Sequence, residues 1–461
     1  MRFLFTTLQT YESDFYGRVG AELARRGHEA AHVTISRESA RLLRGRGFHA
    51  VCLPDAMAAI GEPADLDAEV RRIEELYELP SIREIYRADR PCDGRSEDWC
   101  IRRTVRHVRA LEGIFDDIRP DVLVPEVGNE TIRVASHLVA VERGIPVLFL
   151  LYTIFPRPLR LYVDTLHAPI VAEEEIRPLE PEERAEVEAF RREFTERAEP
   201  IRRHRRVPVE ARRARVFAGH VVRKLGVDRD NEYLRPGRLL AQNAAEWLRA
   251  RAARPLYDEL EAHRPIVYFP LHVTDDYKIK KIIPHCVDQP SLVEQVADAL
   301  PPGYDLVLKE HPMSVGRNPI NGLRRLRARP NVRLVDPWTS SHELIRRSAA
   351  VVVISSTVGL EALLYEKPVL TLGQPFYGGY GITLDVDSFR EIRDKVPAVL
   401  RFRPDRERIA RFLHAAMRRC YAGAPVLVDR SDENAASLAA SVEELAAAVV
   451  AERGELAAPV A

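Results

Sequence analysis

The sequence predicts an α/β protein made of two Rossmann-like doubly wound domains that face each other across a crevice, with a charged helical insertion between them. Two observations lead to this prediction. Short apolar segments rich in strand formers alternate with amphipathic segments of helical period in the first and last parts of the chain. This pattern is typical of parallel sheets with crossover helices. Between the two parts, a long stretch of charged residues interrupts the alternation.

The first series of alternating segments predicts an N-terminal domain over residues 1–170. RFLFTT (2–7) and EAAHVTIS (29–36) have the composition of strands, and residues 14–28 between them carry apolar side chains at helical spacing. A βαβ unit of this length requires a parallel sheet. The alternation resumes at 121–153 with a further strand, helix and strand.

The middle segment, residues 171–262, is predicted to be a charged helical insertion or linker. Its first half is acidic, whereas residues 202–224 are strongly basic. Two interpretations remain open. The acidic and basic halves pair with each other on a solvated surface, as charge runs commonly do, or the basic stretch holds an acidic lipid or a polyanionic acceptor.

A second series of strands and helices predicts a C-terminal domain over residues 263–430. Apolar strand-like segments recur from PIVYFPLHV (265–273) to PVLTLG (368–373), and helical segments separate them. The last segment, residues 431–461, is Ala-rich and is expected to form a C-terminal helix and tail that packs across the two domains.

Charge and composition exclude several classes of function. Lys and Arg total 69 and Asp and Glu total 69, so no overall field draws the protein to nucleic acid. The five cysteines are scattered, which suits a reducing compartment. Neither a signal peptide nor an apolar run long enough to span a bilayer is evident. We therefore expect a cytoplasmic protein, with residues 202–224 as a candidate for peripheral contact with the inner face of the cell membrane.

The segment VVVISSTVGLEALL (351–364) predicts a strand that ends in hydroxyls and leads into a helix. The carboxyl ends of parallel strands form the ligand crevice of doubly wound domains. Ser355, Ser356 and Thr357 could cap the helix and expose its positive end to a nucleotide phosphate. Gly359 would let the ligand approach the backbone, and Glu361 would accept hydrogen bonds from a ribose diol. The alternative is an ordinary helix cap with an acid in the first turn.

Three other predicted strand ends carry polar or glycine-rich segments. Lys309 and His311 follow one strand and could neutralise a phosphate, with His311 donating a hydrogen bond to the leaving group; the alternative for His311 is a structural role. His272 ends a second strand and is a candidate contact to the sugar. Candidates for contacts to the sugar or base lie in QPFYGGYGIT (374–383), namely Tyr377, Gly379 and Gly381.

The same region offers a candidate metal site. Asp275 and Asp276 could hold Mg²⁺, and zinc-type Cys and His spacing is absent from the sequence. Because Lys309, His311 and a helix end can carry the phosphate charge, we expect that no metal cofactor is required.

The motifs YFPLHVTDDYKI, KEHP, ISSTVGLEALLYEKPV and GQPFYGGYGIT resemble the capsule polysaccharide synthesis family over about residues 265–385. That family includes capsule export proteins and Kdo transferases that resemble GT-B glycosyltransferases. Two departures from its pattern are Glu366, which replaces a glycine before Lys-Pro-Val, and Tyr380, which stands where Trp is common. The resemblance implies a nucleotide-sugar donor, with CMP favoured and a Kdo-like sugar, and a cell-surface glycan or lipid-linked acceptor.

The N-terminal domain is then expected to hold the acceptor and the catalytic base. PEVGNET (125–131) ends a predicted strand with Glu126 and Glu130. Either carboxylate could deprotonate an acceptor hydroxyl or act as a nucleophile in a retaining route. The alternative for Glu130 is a favourable acid at a helix start.

Three hypotheses for function follow. The first is a nucleotide-sugar-dependent glycosyltransferase. The second keeps the double-Rossmann plan but changes the chemistry, as in CDP-glycerol glycerophosphotransferases and nucleotide-sugar epimerases. The third is a non-catalytic capsule export or scaffold protein.

Overall fold

A computed structural model describes residues 1–166, 169–198, 211–260, 264–273 and 276–457, without the side chains of 211–216 and 454–457. Asp275 and much of the basic stretch 202–224 therefore lie outside the described residues.

The N-terminal sheet is parallel, as predicted. Its strands are β1 (Arg2–Thr7), β2 (Glu29–Thr34), β3 (His49–Cys52) and β4 (Val122–Pro125), in the order β3-β2-β1-β4. A parallel bridge from Leu123 to Val147 continues the sheet towards β5 (Leu148–Tyr152). The connecting helices are α1 (Thr10–Arg25), α2 (Arg37–Gly45), α3 (Leu53–Ile60), α4 (Leu66–Leu76), α5 (Arg83–Tyr86), α6 (Glu97–Ile118) and α7 (Thr131–Glu142).

The C-terminal sheet is also parallel and has six strands. They are β7 (Ile266–Pro270), β8 (Asp305–Lys309), β9 (Val332–Val335), β10 (Ser348–Val353), β11 (Val369–Thr371) and β12 (Leu384–Asp385), and the order is β12-β11-β10-β7-β8-β9. The strand order reverses between β7 and β10, which makes the gap between their carboxyl ends the topological switch point. The helices are α11 (Gln289–Ala299), α12 (Ile320–Arg327), α13 (Ser341–Arg347), α14 (Thr357–Leu364), α15 (Ile392–Val399) and α16 (Arg406–Arg418).

Both sheets bury apolar side chains on both faces, as doubly wound sheets must. In the C-terminal domain, β10 sends Val351 and Val353 into one core and Ala350 and Val352 into the other. This alternation follows from the two-residue period of a strand. The predicted α/β fold of two Rossmann-like doubly wound domains is confirmed.

A small antiparallel sheet connects the end of the chain to the N-terminal domain. β6 (Leu159–Val163) lies between β5 and β13 (Cys420–Tyr421). The chain then enters α17 (Asp432–Ala457), whose Leu438 and Val442 pack in one core with Phe3 and Phe5 of β1. The expectation that this helix packs across both domains was wrong, because its apolar face covers the N-terminal sheet. By length and composition alone, residues 432–453 of α17 could also cross a membrane.

The described residues of the middle segment form the helices α8 (Pro181–Arg197), α9 (Ala211–Leu225) and α10 (Pro236–Ala253). Val187 and Phe190 of α8 are buried in the core of the C-terminal domain. Arg184 of α8 pairs with Glu407 of α16 at 2.6 Å. In the described part of the chain, α8 therefore packs against the C-terminal domain. The predicted domain limits stay predictions.

Candidate functional site

A cavity of about 710 Å³ opens at the carboxyl edge of the C-terminal sheet. It is lined by Lys309 at the end of β8, His311 just after it, Ser341 after β9, and Thr357 and Glu361 after β10. Parallel strands bring these segments to one edge, so residues far apart in sequence meet at the switch point. Tyr152 at the end of β5 and Ile154 after it close the cavity from the N-terminal half.

Ser356 caps α14, as predicted. Its hydroxyl accepts a hydrogen bond from the backbone N–H of Val358 at 3.2 Å. The described residues provide no acceptor for the backbone N–H groups of Ser356 and Thr357 at the cavity edge. The start of α14 therefore offers donors and the positive end of the helix dipole to an anion.

The reason for a glycine at position 359 differs from the one expected. A Cβ atom there would lie 2.1 Å from the hydroxyl oxygen of Tyr377. Tyr377 is buried, and its hydroxyl donates a hydrogen bond to the carbonyl oxygen of Ser356. Gly359 therefore makes room for Tyr377 rather than for a ligand, and Tyr377 supports the start of α14 instead of lining the cavity.

His272 and Ser355 form a structural link between β7 and β10. Nε2 of His272 accepts a hydrogen bond from the backbone N–H of Ser355 at 3.1 Å. Burial and the nearby Lys278 lower the pKa of His272 to about 3, so the ring is neutral at physiological pH. The predicted sugar contact of His272 is replaced by this link, which takes one backbone donor away from any bound phosphate.

Lys309 and Glu361 are two buried charges of opposite sign in the cavity wall. Burial raises the pKa of Glu361 to about 7, while Lys309 opposes this shift. Burial also lowers the pKa of Lys309 to about 8, which Glu361 opposes. Nζ of Lys309 donates to the carbonyl of Thr339 at 3.0 Å and to Ser341 at 2.5 Å. Both groups are thus positioned before a ligand arrives.

His311 also lies in the cavity wall and caps the short turn Pro312–Ser314. Its Nδ1 accepts a hydrogen bond from the backbone N–H of Met313 at 3.1 Å. In the neutral ring, the proton is then on Nε2. That tautomer can donate a hydrogen bond, as the predicted role requires.

Gly379 and Gly381 have φ values of +85° and +70°. The backbone N–H of Gly379 donates to Asp385 at 2.9 Å, and Asp385 also accepts from Thr371 at 2.6 Å. The two glycines shape the loop, and they are not among the described residues that line the 710 Å³ cavity.

A second cavity, of about 470 Å³, lies at the carboxyl edge of the N-terminal sheet. Its acidic wall contains Glu12 and Glu130, both bound to Arg133 at 3.2 Å and 2.9 Å. Arg235, in the opposite wall, donates to the carbonyl of Pro91 at 3.1 Å. The cavity wall therefore offers both negatively and positively charged side chains to an acceptor.

Glu126 lies behind this wall and is not among the described residues that line it. It is buried and accepts a hydrogen bond from the hydroxyl of Tyr16. Burial raises the pKa of Glu126 to about 7, and the negative charge of Glu12 adds to this effect. Of the two predicted catalytic carboxylates, the structure places Glu130 at the cavity and Glu126 beneath it.

The sequence reading missed Glu12, Arg133 and Ser341. Glu12 follows β1 and Ser341 follows β9, so each was marked by its position after a strand. Arg133 gave no such signal: Glu130 lies only three residues before it, but its other partner, Glu12, comes from a separate element. Among the described residues no cluster of three or more His, Cys, Asp or Glu could hold a metal ion.

Residues 223–410 match the family model described as capsule polysaccharide biosynthesis protein. This match confirms the resemblance seen in the motifs of residues 265–385. Protein FixF of Sinorhizobium fredii is 31% identical over 129 residues, which are 28% of this chain and 31% of that protein. The chain therefore aligns with less than a third of that relative's length.

Several solved structures resemble between 64% and 96% of the chain at low sequence identity. The beta Kdo 2,4 transferase of Thermosulfurimonas dismutans KpsC matches with a TM-score of 0.38 and 18% identity, covering 64% of this chain and 79% of that one. The calicheamicin glycosyltransferase CalG4 has a TM-score of 0.30 and 16% identity, covering 96% and 97%. The UDP-GlcNAc 2-epimerase of Neisseria meningitidis has a TM-score of 0.31 and 15% identity, covering 96% of this chain and 99% of that one.

Proposed function

We propose that the chain is a nucleotide-sugar-dependent glycosyltransferase, from the match of residues 223–410 to the family model described as capsule polysaccharide biosynthesis protein. It moves a sugar to a cell-surface polysaccharide or a lipid-linked acceptor. The observation that carries the proposal is the cavity at the switch point, where Lys309, Glu361 and the start of α14 converge.

The nucleotide donor binds in this 710 Å³ cavity, which has a volume typical of small-molecule sites. The phosphate lies at the start of α14, where Lys309 supplies a positive charge. Glu361 accepts hydrogen bonds from the ribose hydroxyls. His311 donates from Nε2 to the phosphate that leaves the sugar, so the developing charge needs no metal ion.

The acceptor binds in the 470 Å³ cavity of the N-terminal domain. Glu130 reaches this cavity and is the proposed group that takes the proton of the acceptor hydroxyl. Glu126 lies beneath the cavity wall and acts indirectly, through its charge on Glu12 and its hydrogen bond with Tyr16. We expect Glu130→Gln to lower kcat about 10²- to 10⁴-fold, the usual contribution of a general base. If Glu126→Gln lowered kcat by this factor and Glu130→Gln did not, Glu126 would be the base and Glu130 the supporting residue.

The proposed donor is a CMP-activated sugar of the Kdo type. The first test is the thermal stability of the purified protein with CMP, CDP, UDP or GDP. A nucleotide at 100 times its Kd adds about 2.7 kcal/mol to the free energy of unfolding. We expect this effect with CMP, its loss in Glu361→Ala and its persistence in Glu391→Ala, a control that removes an acid far from the cavity.

The second test is release of the nucleotide from CMP-, CDP- and UDP-activated donors. Release from a CMP-sugar that depends on His311 supports the proposal. Turnover of CDP-glycerol would indicate a glycerophosphotransferase, and interconversion of a UDP-sugar would indicate an epimerase. Failure to bind any nucleotide would favour the non-catalytic scaffold.

We also propose that the protein is cytoplasmic and contacts the inner membrane face through α9 and α10. Five apolar side chains of these helices are exposed by 56% to 70%: Val222, Leu225, Leu240, Trp247 and Leu248. Their spacings within each helix place them on common faces.

The membrane contact is tested by sedimentation with lipid vesicles. We expect binding to vesicles that contain phosphatidylglycerol, weaker binding to pure phosphatidylcholine, and loss in Trp247→Ser/Leu248→Ser. Val287→Ser removes another exposed apolar side chain and serves as the control. Equal sedimentation of all three proteins would refute the contact.

A further inference from the structure

A third cavity, of about 250 Å³, lies between the two halves of the molecule. Arg160 and Tyr162 of β6 form one wall, and Tyr277 and Lys278 after β7 form another. Ser355 borders this cavity, whereas its neighbour Ser356 borders the donor cavity. The volume equals the liquid volume of roughly eight water molecules, which is room for more than a simple ion.

The wall of this cavity has an unusual charge pattern. It contains two cations, Arg160 and Lys278, but no Asp or Glu among the described residues. Asp276 is near enough to affect the pKa of Lys278 but does not line the cavity. Buried cations normally have an acidic partner, because removing a charge from water without one is costly.

Arg160 is only 2% exposed and leaves a donor unused. Its guanidinium lies over the ring of Phe376, 3.8 Å from the centroid, and Nη1 donates to the hydroxyl of Tyr162 at 3.1 Å. Nε is buried and has no hydrogen-bond partner among the described residues. Stacking uses the guanidinium face, so the N–H groups at its edge remain able to bind an oxyanion in plane.

Lys278 and Tyr277 add two further groups to this edge of the cavity. Burial and the positive charge of Arg160 lower the pKa of Lys278 to about 8. The hydroxyl of Tyr277 is buried without a hydrogen-bond partner in the described part of the chain. One negative group placed between Arg160 and Lys278 would relieve the repulsion between the two cations.

We propose that this interdomain cavity is an oxyanion-binding site in which Arg160 and Lys278 hold a carboxylate or phosphate group. Because one cation comes from each half of the molecule, the bound anion also joins the two halves. The site is independent of the proposed transfer reaction, since none of its cations belongs to the donor or acceptor cavity.

The test is calorimetric titration of the full-length protein with sodium phosphate and with sodium glucuronate, against sodium chloride at equal ionic strength. We expect saturable binding of at least one oxyanion. Lys278→Gln and Arg160→Lys should each raise its dissociation constant about tenfold, because each removes a charge-assisted contact. Lys367→Gln, which changes another partly buried lysine outside the cavity, should leave the constant unchanged.

Binding of phosphate alone would identify a phosphate group as the ligand, and binding of glucuronate alone would identify the carboxylate of a sugar acid. Equal affinity in wild type, Lys278→Gln and Arg160→Lys would place the anion elsewhere and overturn the proposal, as would no binding beyond that of chloride. CMP titration of the same variants separates the two proposals. If neither the wild type nor any variant bound CMP, the donor site would be refuted and the oxyanion site would be unaffected.

If the variants do not fold, acetylation of the wild-type protein by acetic anhydride gives a second measurement. Mass spectrometry of its peptides reports the modification of each lysine. We expect the bound oxyanion to lower the acetylation of Lys278 severalfold and to leave that of Lys367 unchanged. Equal modification of Lys278 with and without the oxyanion would overturn the proposal.

Discussion

At the residue scale, Glu366 shows what a departure from the family's glycine costs. Its φ is +55°, in the left-handed region that glycine adopts without strain. The side chain pairs with Arg191 of α8 and, at 2.6 Å, with Arg406. The position thus needs a left-handed backbone, and this chain accepts the strain while using the carboxylate to hold α8 and α16.

This reasoning predicts the order of two variants. Glu366→Ala loses the ion pairs and keeps the strained backbone, whereas Glu366→Gly loses the same ion pairs and relieves the strain. We expect the Gly variant to be about 1 kcal/mol more stable than the Ala variant. Urea denaturation of both proteins measures the difference, and an Ala variant equal to or more stable than the Gly variant would contradict it.

Lys309 and Glu361 together predict how nucleotide binding depends on pH. Glu361 is ionised above its pKa of about 7, and Lys309 is charged below its pKa of about 8. If the charged forms bind the nucleotide, the affinity for CMP rises as pH increases through 7 and falls above 8. Calorimetric titration between pH 5.5 and 9.5 should therefore show a maximum.

Two variants show which residue causes each side of that pH profile. Glu361→Gln should remove the rise on the acidic side, and Lys309→Met should remove the fall on the basic side while weakening binding throughout. A profile that keeps both limbs in both variants would show that other groups control nucleotide binding.

At the element scale, the start of α14 depends on a loop that follows it in the chain. Gly359→Ala would place a Cβ atom 2.1 Å from the hydroxyl of buried Tyr377. We expect it to destabilise the protein by about 1 to 3 kcal/mol, the usual cost of overpacking, and to weaken CMP binding. Thermal unfolding and calorimetry measure the two effects.

A second helical glycine provides the control. At Gly322 in α12, an added Cβ would meet only Pro290, at an ordinary contact distance of 3.9 Å. Gly322→Ala should raise stability by about 0.5 to 1 kcal/mol through the better helix propensity of alanine. If both substitutions had the same effect, the close packing of Tyr377 on Gly359 would not explain the glycine.

At the scale of the whole molecule, the last helix belongs to the first domain. α17 covers the β1 side chains Phe3 and Phe5, whereas the helices just before it pack on the C-terminal sheet. The chain thus returns to the N-terminal domain through β13. Two segments of the chain therefore connect the two domains.

Removal of residues 431–461 should therefore affect the domain that lies farthest away in sequence. We expect amide hydrogens of β1 and β4 to lose protection from exchange, because their apolar face becomes exposed to water. Amides of β7 and β8 should keep theirs. Equal loss in both sheets would show that the helix stabilises the molecule as one unit.

The sequence by itself determined the parallel sheets, the capped start of α14 and the strand ends at which the cavities lie. These features depend on local periodicity, on caps a few residues away and on the common edge of parallel strands. The sequence did not determine that Glu126 lies beneath Glu130, that His272 holds Ser355, or that Gly359 accommodates Tyr377. Only the tertiary structure decided these contacts, together with the docking of α17 and the placing of Arg160 and Lys278 in the wall of one cavity. Each joins side chains from separate elements, and burial then sets their charge and role.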